Sequence, residues 1–171
     1  MSRLLSLPVL LLIAAVVAGC AEGPANIASP QHRIAVSKVR LDADAATKMI
    51  NSYRAEKGLK PLTLDPKLTR AALDHSADLA ARDKITHKGS NGSNPWVRIE
   101  KTGYRPKLAA ENVGAGQRSL AEVFRGWQKS PGHNKNLLLP DATQMGIALV
   151  TDANSRYGTF WTLVLGTPAS L

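Results

Sequence analysis

The sequence predicts an α+β fold of stacked layers, with helices first and a β-hairpin last. Three observations predict it. Apolar residues recur at three- and four-residue spacing in several stretches between Asp44 and Trp127. Two β-type runs then close the chain around a turn. A lone cysteine, Cys20, rules out an internal disulfide, so a hydrophobic core must carry the stability. Helical and strand segments that are segregated along a chain favour α+β layering over alternating βαβ units.

Taken in order, residues 44–57 read as the first helix. Ala46, Met49, Ile50 and Tyr53 share a face, and Gly58 supplies a C-terminal stop. Asn51 and Arg54 lie three apart on it, and Arg54 is expected to hold a loop carbonyl or carboxylate. Residues 59–62 read as a connection. Asp65-Pro66 gives a cap followed by Pro at the first helical position, opening a helix over 66–84. Leu68, Ala71, Ala72, His75 and Leu79 form its stripe, which makes His75 a core histidine. Residues 88–95 are loop by composition, and a short helix over 95–102 ends at Gly103. Ser119-Leu120-Ala121-Glu122 is a capping box that opens a helix through Trp127. Strands are predicted over 145–151 and 159–165, with the turn at Asn154-Ser155.

The first 40 residues belong to a different regime. Arg3 precedes sixteen uncharged, mostly aliphatic residues from Leu4 to Gly19. This is shorter than the roughly 20 residues a spanning helix needs. A positive start, an apolar stretch and small residues at Ala18 and Gly19 fit a cleavable signal over 1–19. Val17-Ala18-Gly19-Cys20 resembles a bacterial lipobox, which implies cleavage before Cys20 and acylation of its thiol. The protein would then be lipid-anchored in a cell envelope, facing the periplasm or the exterior. Residues 20–40 carry turn formers and no apolar period, so they read as a lipidated tether in which His32 is solvated. Residues 41–171 are left as one domain. The mature chain of about 150 residues is long enough for an adequate core.

Charge narrows the partners. The chain carries 22 basic and 13 acidic residues, a net of +9, and one of the basic residues leaves with the signal. Such a balance favours anionic surroundings such as lipid headgroups or wall polymers. The basic residues are scattered and aromatic residues are only 5%, which argues against nucleic acid. Nothing in the pattern calls for an oligomer, and a monomer is expected.

Several motifs stand out, of which His87, Glu111-Asn112-Val113 and the segment from Trp127 to His133 could carry chemistry. They include Asn51-Ser52-Tyr53-Arg54, Ala72-x-x-His75-Ser76-x-Asp78-Leu79-Ala80, His87 and Gly103-Tyr104. Glu111-Asn112-Val113, Trp127-x-x-Ser130-Pro131-Gly132-His133 and Met145-Gly146-Ile147-Ala148 complete the set. Collinear over about 45–166, they resemble the CAP superfamily of cysteine-rich secretory, antigen five and pathogenesis-related class one proteins, in its short bacterial branch. The resemblance implies a three-layer α-β-α sandwich with a central cleft lined by His87, Glu111 and His133. Many members place a second glutamate where this chain has Ser130, so one carboxylate of that arrangement is missing.

Two imidazoles suit Zn²⁺ or a similar ion, with Glu111 either as a third ligand or orienting an imidazole. Alternatively, the three form a hydrogen-bonded cluster that fixes loops. Trp96, Asn112 and Ser130 are expected to line the cleft, and Trp127 and Trp161 to fill core. No HExxH helix and no nucleophile elbow is present, so no catalytic role is assigned beyond candidacy of His87, Glu111 and His133. The favoured reading is a non-catalytic module binding lipid or envelope ligands. The alternative is a metal-dependent hydrolase of envelope peptide or glycan.

Overall fold

The computed structural model describes residues 29–170; the expected signal segment, Cys20 and the first part of the expected tether lie outside them. Two helices come first, α1 (Pro30–Ser37) and α2 (Ala43–Glu56). The short strand β1 (Thr63–Leu64) leads into α3 (Pro66–Ala81) and α4 (Pro95–Lys101). Strand β2 (Pro106–Ala115) precedes α5 (Leu120–Lys129) and α6 (Pro131–Leu137), and β3 (Gln144–Thr151) and β4 (Thr159–Pro168) close the chain.

The strands form one sheet in the order β1-β3-β4-β2, with β1 parallel to β3 and the other pairs antiparallel. Strand β4 is the spine of the domain: residues 159–166 are all buried because helices cover both faces. Its side chains divide by parity, as the pleat requires. Trp161, Leu163 and Leu165 join Ile50, Val123, Phe124 and Trp127 in the core beneath α2 and α5. Phe160 and Val164 face α3, packing with Leu79 and with Leu68 and Ala72 respectively. The result is the three-layer α-β-α sandwich. Gly146 sets how closely α3 approaches: a Cβ there would lie 2.1 Å from the Thr69 backbone nitrogen.

Local chemistry explains the ends of the helices. Asp42 and Asp65 accept from the first-turn amides of α2 and α3, and Asn94 does the same for α4. Ser119 accepts from Glu122 N, but Glu122 reaches back to the Arg118 amide instead of Ser119, so the capping box is only half closed. The predicted 66–84 helix stops at Ala81, and the chain leaves through Asp83, whose φ is 46°. Asp83 is held in that conformation by accepting from Ser155 Oγ and the Arg156 amide in the β3–β4 turn.

Four expectations are corrected. The tether is not irregular up to residue 40: residues 30–37 form α1, capped by Ser29 with Pro30 in its first turn. His32 is buried, not solvated, because α1 lays it and Val36 against Gly158. Residues 106–115, read as motif without secondary structure, form a ten-residue strand along β4. Residues 131–137, whose first three were likewise read as motif without secondary structure, form α6.

Arg54 does what its position on α2 suggested. Fully buried, it donates to the carbonyls of Lys60, Leu137, Leu139 and Ala142. Asn51 clamps Leu62 from both sides, donating to its carbonyl at 2.9 Å and accepting from its amide at 2.8 Å. These two residues tie α2 to both loops that flank the sheet.

Candidate functional site

Strand β2 organises the site by presenting alternate residues to opposite layers. Glu111 pairs with Val164 and so points to the α3 side; Asn112 pairs with Leu163 and points the other way, toward α6. Fully buried Asn112 donates to the His133 carbonyl at 3.0 Å and accepts from Asn136 at 2.9 Å. Asn112 therefore lines no open surface. It holds in place the turn of α6 that carries His133, and Asn136 also donates to the Glu111 carbonyl at 3.1 Å. Tyr53 donates to Asn134 at 2.9 Å, binding the same helix to α2.

The Glu111 carboxylate is 2% exposed, and both of its oxygens are engaged. Oε2 takes a hydrogen bond from Arg98 Nη2 at 2.7 Å, and Oε1 takes one from His87 Nδ1 at 2.9 Å. A carboxylate only accepts here, so the proton between Glu111 and His87 sits on Nδ1. A second histidine, this one buried, also approaches the carboxylate: His75 Nε2 lies 3.6 Å from Oε1 while donating to the Thr86 carbonyl at 2.9 Å. The carbonyl fixes that ring as the Nε2–H tautomer, and its Nδ1 is buried with no hydrogen-bond partner.

The three imidazoles are tuned apart. The hydrogen bond to Glu111 raises His87 above its usual range, against partial desolvation. Burial lowers His75, although Glu111 pulls the other way. Burial also lowers His133, and the nearby His87 charge lowers it further. His133 thus favours the neutral form. The His87 ring is 53% exposed and meets solvent.

Of the predicted residues, the fold joins His87 to Glu111 by a hydrogen bond and holds the backbone of His133 against Asn112, the neighbour of Glu111 on β2. Ser130 lies at the α5–α6 junction as the start of α6, without a side-chain capping bond. Trp96 is 39% exposed on α4, one residue from Val97 and two from Arg98. Two participants escaped the sequence reading. His75 was taken as core alone, and Arg98 was not singled out; neither belongs to a local motif that points at Glu111. Among the described residues, no group of three or more His, Cys, Asp or Glu side chains is arranged to hold a metal ion.

An α-β-α sandwich with a His–Glu cluster on the strand next to its spine defines a CAP-type domain. The model of the cysteine-rich secretory protein family matches residues 47–165, and the chain belongs to that family. It is 31% identical over 128 residues to the uncharacterized protein YkwD of Bacillus subtilis, covering 75% of this chain and 48% of that protein. It is 27% identical over 101 residues to the uncharacterized membrane protein YlbC of the same organism, covering 59% of this chain and 29% of that protein. The chain thus spans about half or less of the length of these relatives. An extracellular SCP-domain protein of Bacillus anthracis superposes with a TM-score of 0.65 at 25% identity, over 72% of this chain and 39% of that one. An outer surface protein of Borrelia burgdorferi shares the fold with a TM-score of 0.66 at 23% identity, over 75% and 97% of the two chains.

Proposed function

We propose that this chain is a monomeric cell-envelope lipoprotein, anchored through acylated Cys20, whose CAP domain is a non-catalytic binding module for lipid or cell-wall material. One observation carries the non-catalytic part. Both oxygens of the buried carboxylate at the centre of the site are engaged, one by Arg98 and one by His87. A general base needs an oxygen free to take a proton, and here one oxygen holds the Arg98 guanidinium at 2.7 Å and the other the His87 N–H at 2.9 Å. Glu111 is a fixed support, while His87 and His133 are the groups left to meet a ligand. The extracellular and outer-surface relatives, the basic charge and the lipobox-like segment support the envelope address.

A divalent ion such as Zn²⁺ would find no more than the two imidazoles here, short of the three protein ligands of an ordinary zinc site, since no group of three His, Cys, Asp or Glu among the described residues is arranged to hold one. With Nδ1–H committed to Glu111, His87 offers Nε2, and His133 is held neutral as a ligand must be. Glu111 would orient His87 and does not fit as a direct ligand, because Arg98 occupies its second oxygen. A bound ion would supply Lewis acidity at the mouth of the site.

Three measurements test the reading. Cys20→Ser should move the protein from the membrane pellet to the soluble fraction; retention in the pellet would contradict the anchor. The released form, titrated with palmitate and with purified peptidoglycan, should bind one of them saturably at micromolar concentration. Binding of neither would sink the proposal. Zinc content should fall in His133→Ala, and equal content in both forms would rule out the two-imidazole site.

A further inference from the structure

A second site lies on the far side of Arg98 from Glu111. A cavity of about 380 Å³ opens between α3, the 89–93 loop and α4. That volume suits a small molecule. Its walls are pinned from three directions. The loop closes on itself through Gly89 N to Ser93 O at 2.8 Å, attaches to α3 through Ser90 N to Asp78 at 3.0 Å, and attaches to α4 through Arg98 Nη1 to Ser93 O at 3.1 Å. A ligand entering a preformed wall has little ordering cost to overcome.

The lining says what would enter. Val97 is the one sizeable apolar side chain in the wall, so an acyl tail finds little to bury against. Ser90, Asn91 and the two carboxylates Asp74 and Asp78 instead offer the mixed donors and acceptors that sugar hydroxyls satisfy. The charges are unevenly matched. Asp74 pairs with Arg70 at 2.8 Å, and Asp78 is held by Arg82 and Ser90. Lys101 has no ion-pair partner among the described residues, and Arg98 Nε is buried without a hydrogen-bond partner. The uncompensated charge in the wall is therefore positive.

We propose that this cavity binds an acidic monosaccharide unit, with Lys101 on its carboxylate and Ser90, Asn91 and Asp74 on its hydroxyls. It is a site separate from the histidines, and it takes a different chemistry from a lipid. Arg98 is the shared wall: the same guanidinium that closes the cavity loop holds Glu111.

The test uses the full chain, solubilised in detergent, with glucuronate as the probe and glucose as its uncharged counterpart. Amide NMR shifts should saturate with glucuronate in the millimolar range and concentrate on residues 89–101. Glucose should bind about tenfold more weakly, the loss expected for one charge-assisted hydrogen bond. Lys101→Met should weaken glucuronate by a similar factor while leaving the melting temperature unchanged, since Lys101 is exposed. Three results would overturn the proposal: no saturable shift by about 10 mM glucuronate, equal affinity for the two sugars, or unaltered binding in Lys101→Met. Palmitate binding elsewhere would be unaffected by any of them.

Discussion

Replacing Glu111 with Gln removes one negative charge from a side chain that is 2% exposed, while leaving its shape nearly intact. Arg98, whose own side chain is only 10% exposed, then keeps a positive charge with no counter-ion. Removing one partner of a buried ion pair costs about 3–5 kcal/mol. The lower end applies here, because the Gln carbonyl still accepts from one donor and Arg98 keeps its bond to Ser93 O. At a urea m-value of about 2 kcal/mol/M, a loss of about 3 kcal/mol lowers the midpoint by about 1.5 M. Buried Trp127 and Trp161 report the transition by fluorescence. The double variant Arg98→Met with Glu111→Gln removes both charges and should recover at least half of the loss, since the cost is that of an unpaired charge. A single-variant loss below about 1 kcal/mol would refute the reasoning. So would a double variant at least as unstable as the single one.

The same physics gives two further outcomes. Arg54→Met fills the volume of the buried side chain but leaves the carbonyls of Lys60, Leu137, Leu139 and Ala142 without their donor. It should cost more than about 3 kcal/mol, and a urea midpoint within error of wild type would contradict the role of Arg54 as the clasp between α2 and the loops. Acid should weaken the fold through His75. Because burial lowers its folded pKa, the stability its neutral form contributes is present above about pH 6.5 and is lost as pH falls through the lower folded value. His87 has the opposite sign: its contribution is present below about pH 6.5 and is lost as pH rises through its raised folded value. His75→Gln keeps a donor for Thr86 and cannot charge, so its melting temperature should fall less than wild type between pH 6.5 and 5; parallel slopes would reject the assignment.

Much of the architecture was legible because it is written locally. Asp65-Pro66 and Gly58 mark helix ends by mechanisms that need no tertiary context. The alternation of β4 survives as a continuous apolar run, since both of its faces are covered. The same cap-then-proline signal also opens α1 at Ser29-Pro30, α4 at Asn94-Pro95 and α6 at Ser130-Pro131. Read as turn chemistry, it hid two helices. Strand β2 was illegible for a different reason. Its centre carries Glu111 and Asn112, polar residues satisfied by α4, by His87 in the loop after α3 and by α6, and those partners are brought together by the fold. The site shows the same division. His87, Glu111 and His133 stand in recognisable motifs, whereas Arg98 and His75 matter only because α4 and α3 meet over β2.

Glu111 is a fixed support that sets His87 as the Nδ1–H tautomer and raises it, while burial and the His87 charge lower His133. Imidazole ¹⁵N NMR of the full chain across pH 5–8 tests this directly. The expected result is a neutral His87 protonated on Nδ1, titrating above about 6.5, with His133 titrating below it. A neutral His87 protonated on Nε2, or two histidines that titrate together at the unperturbed value, would contradict it.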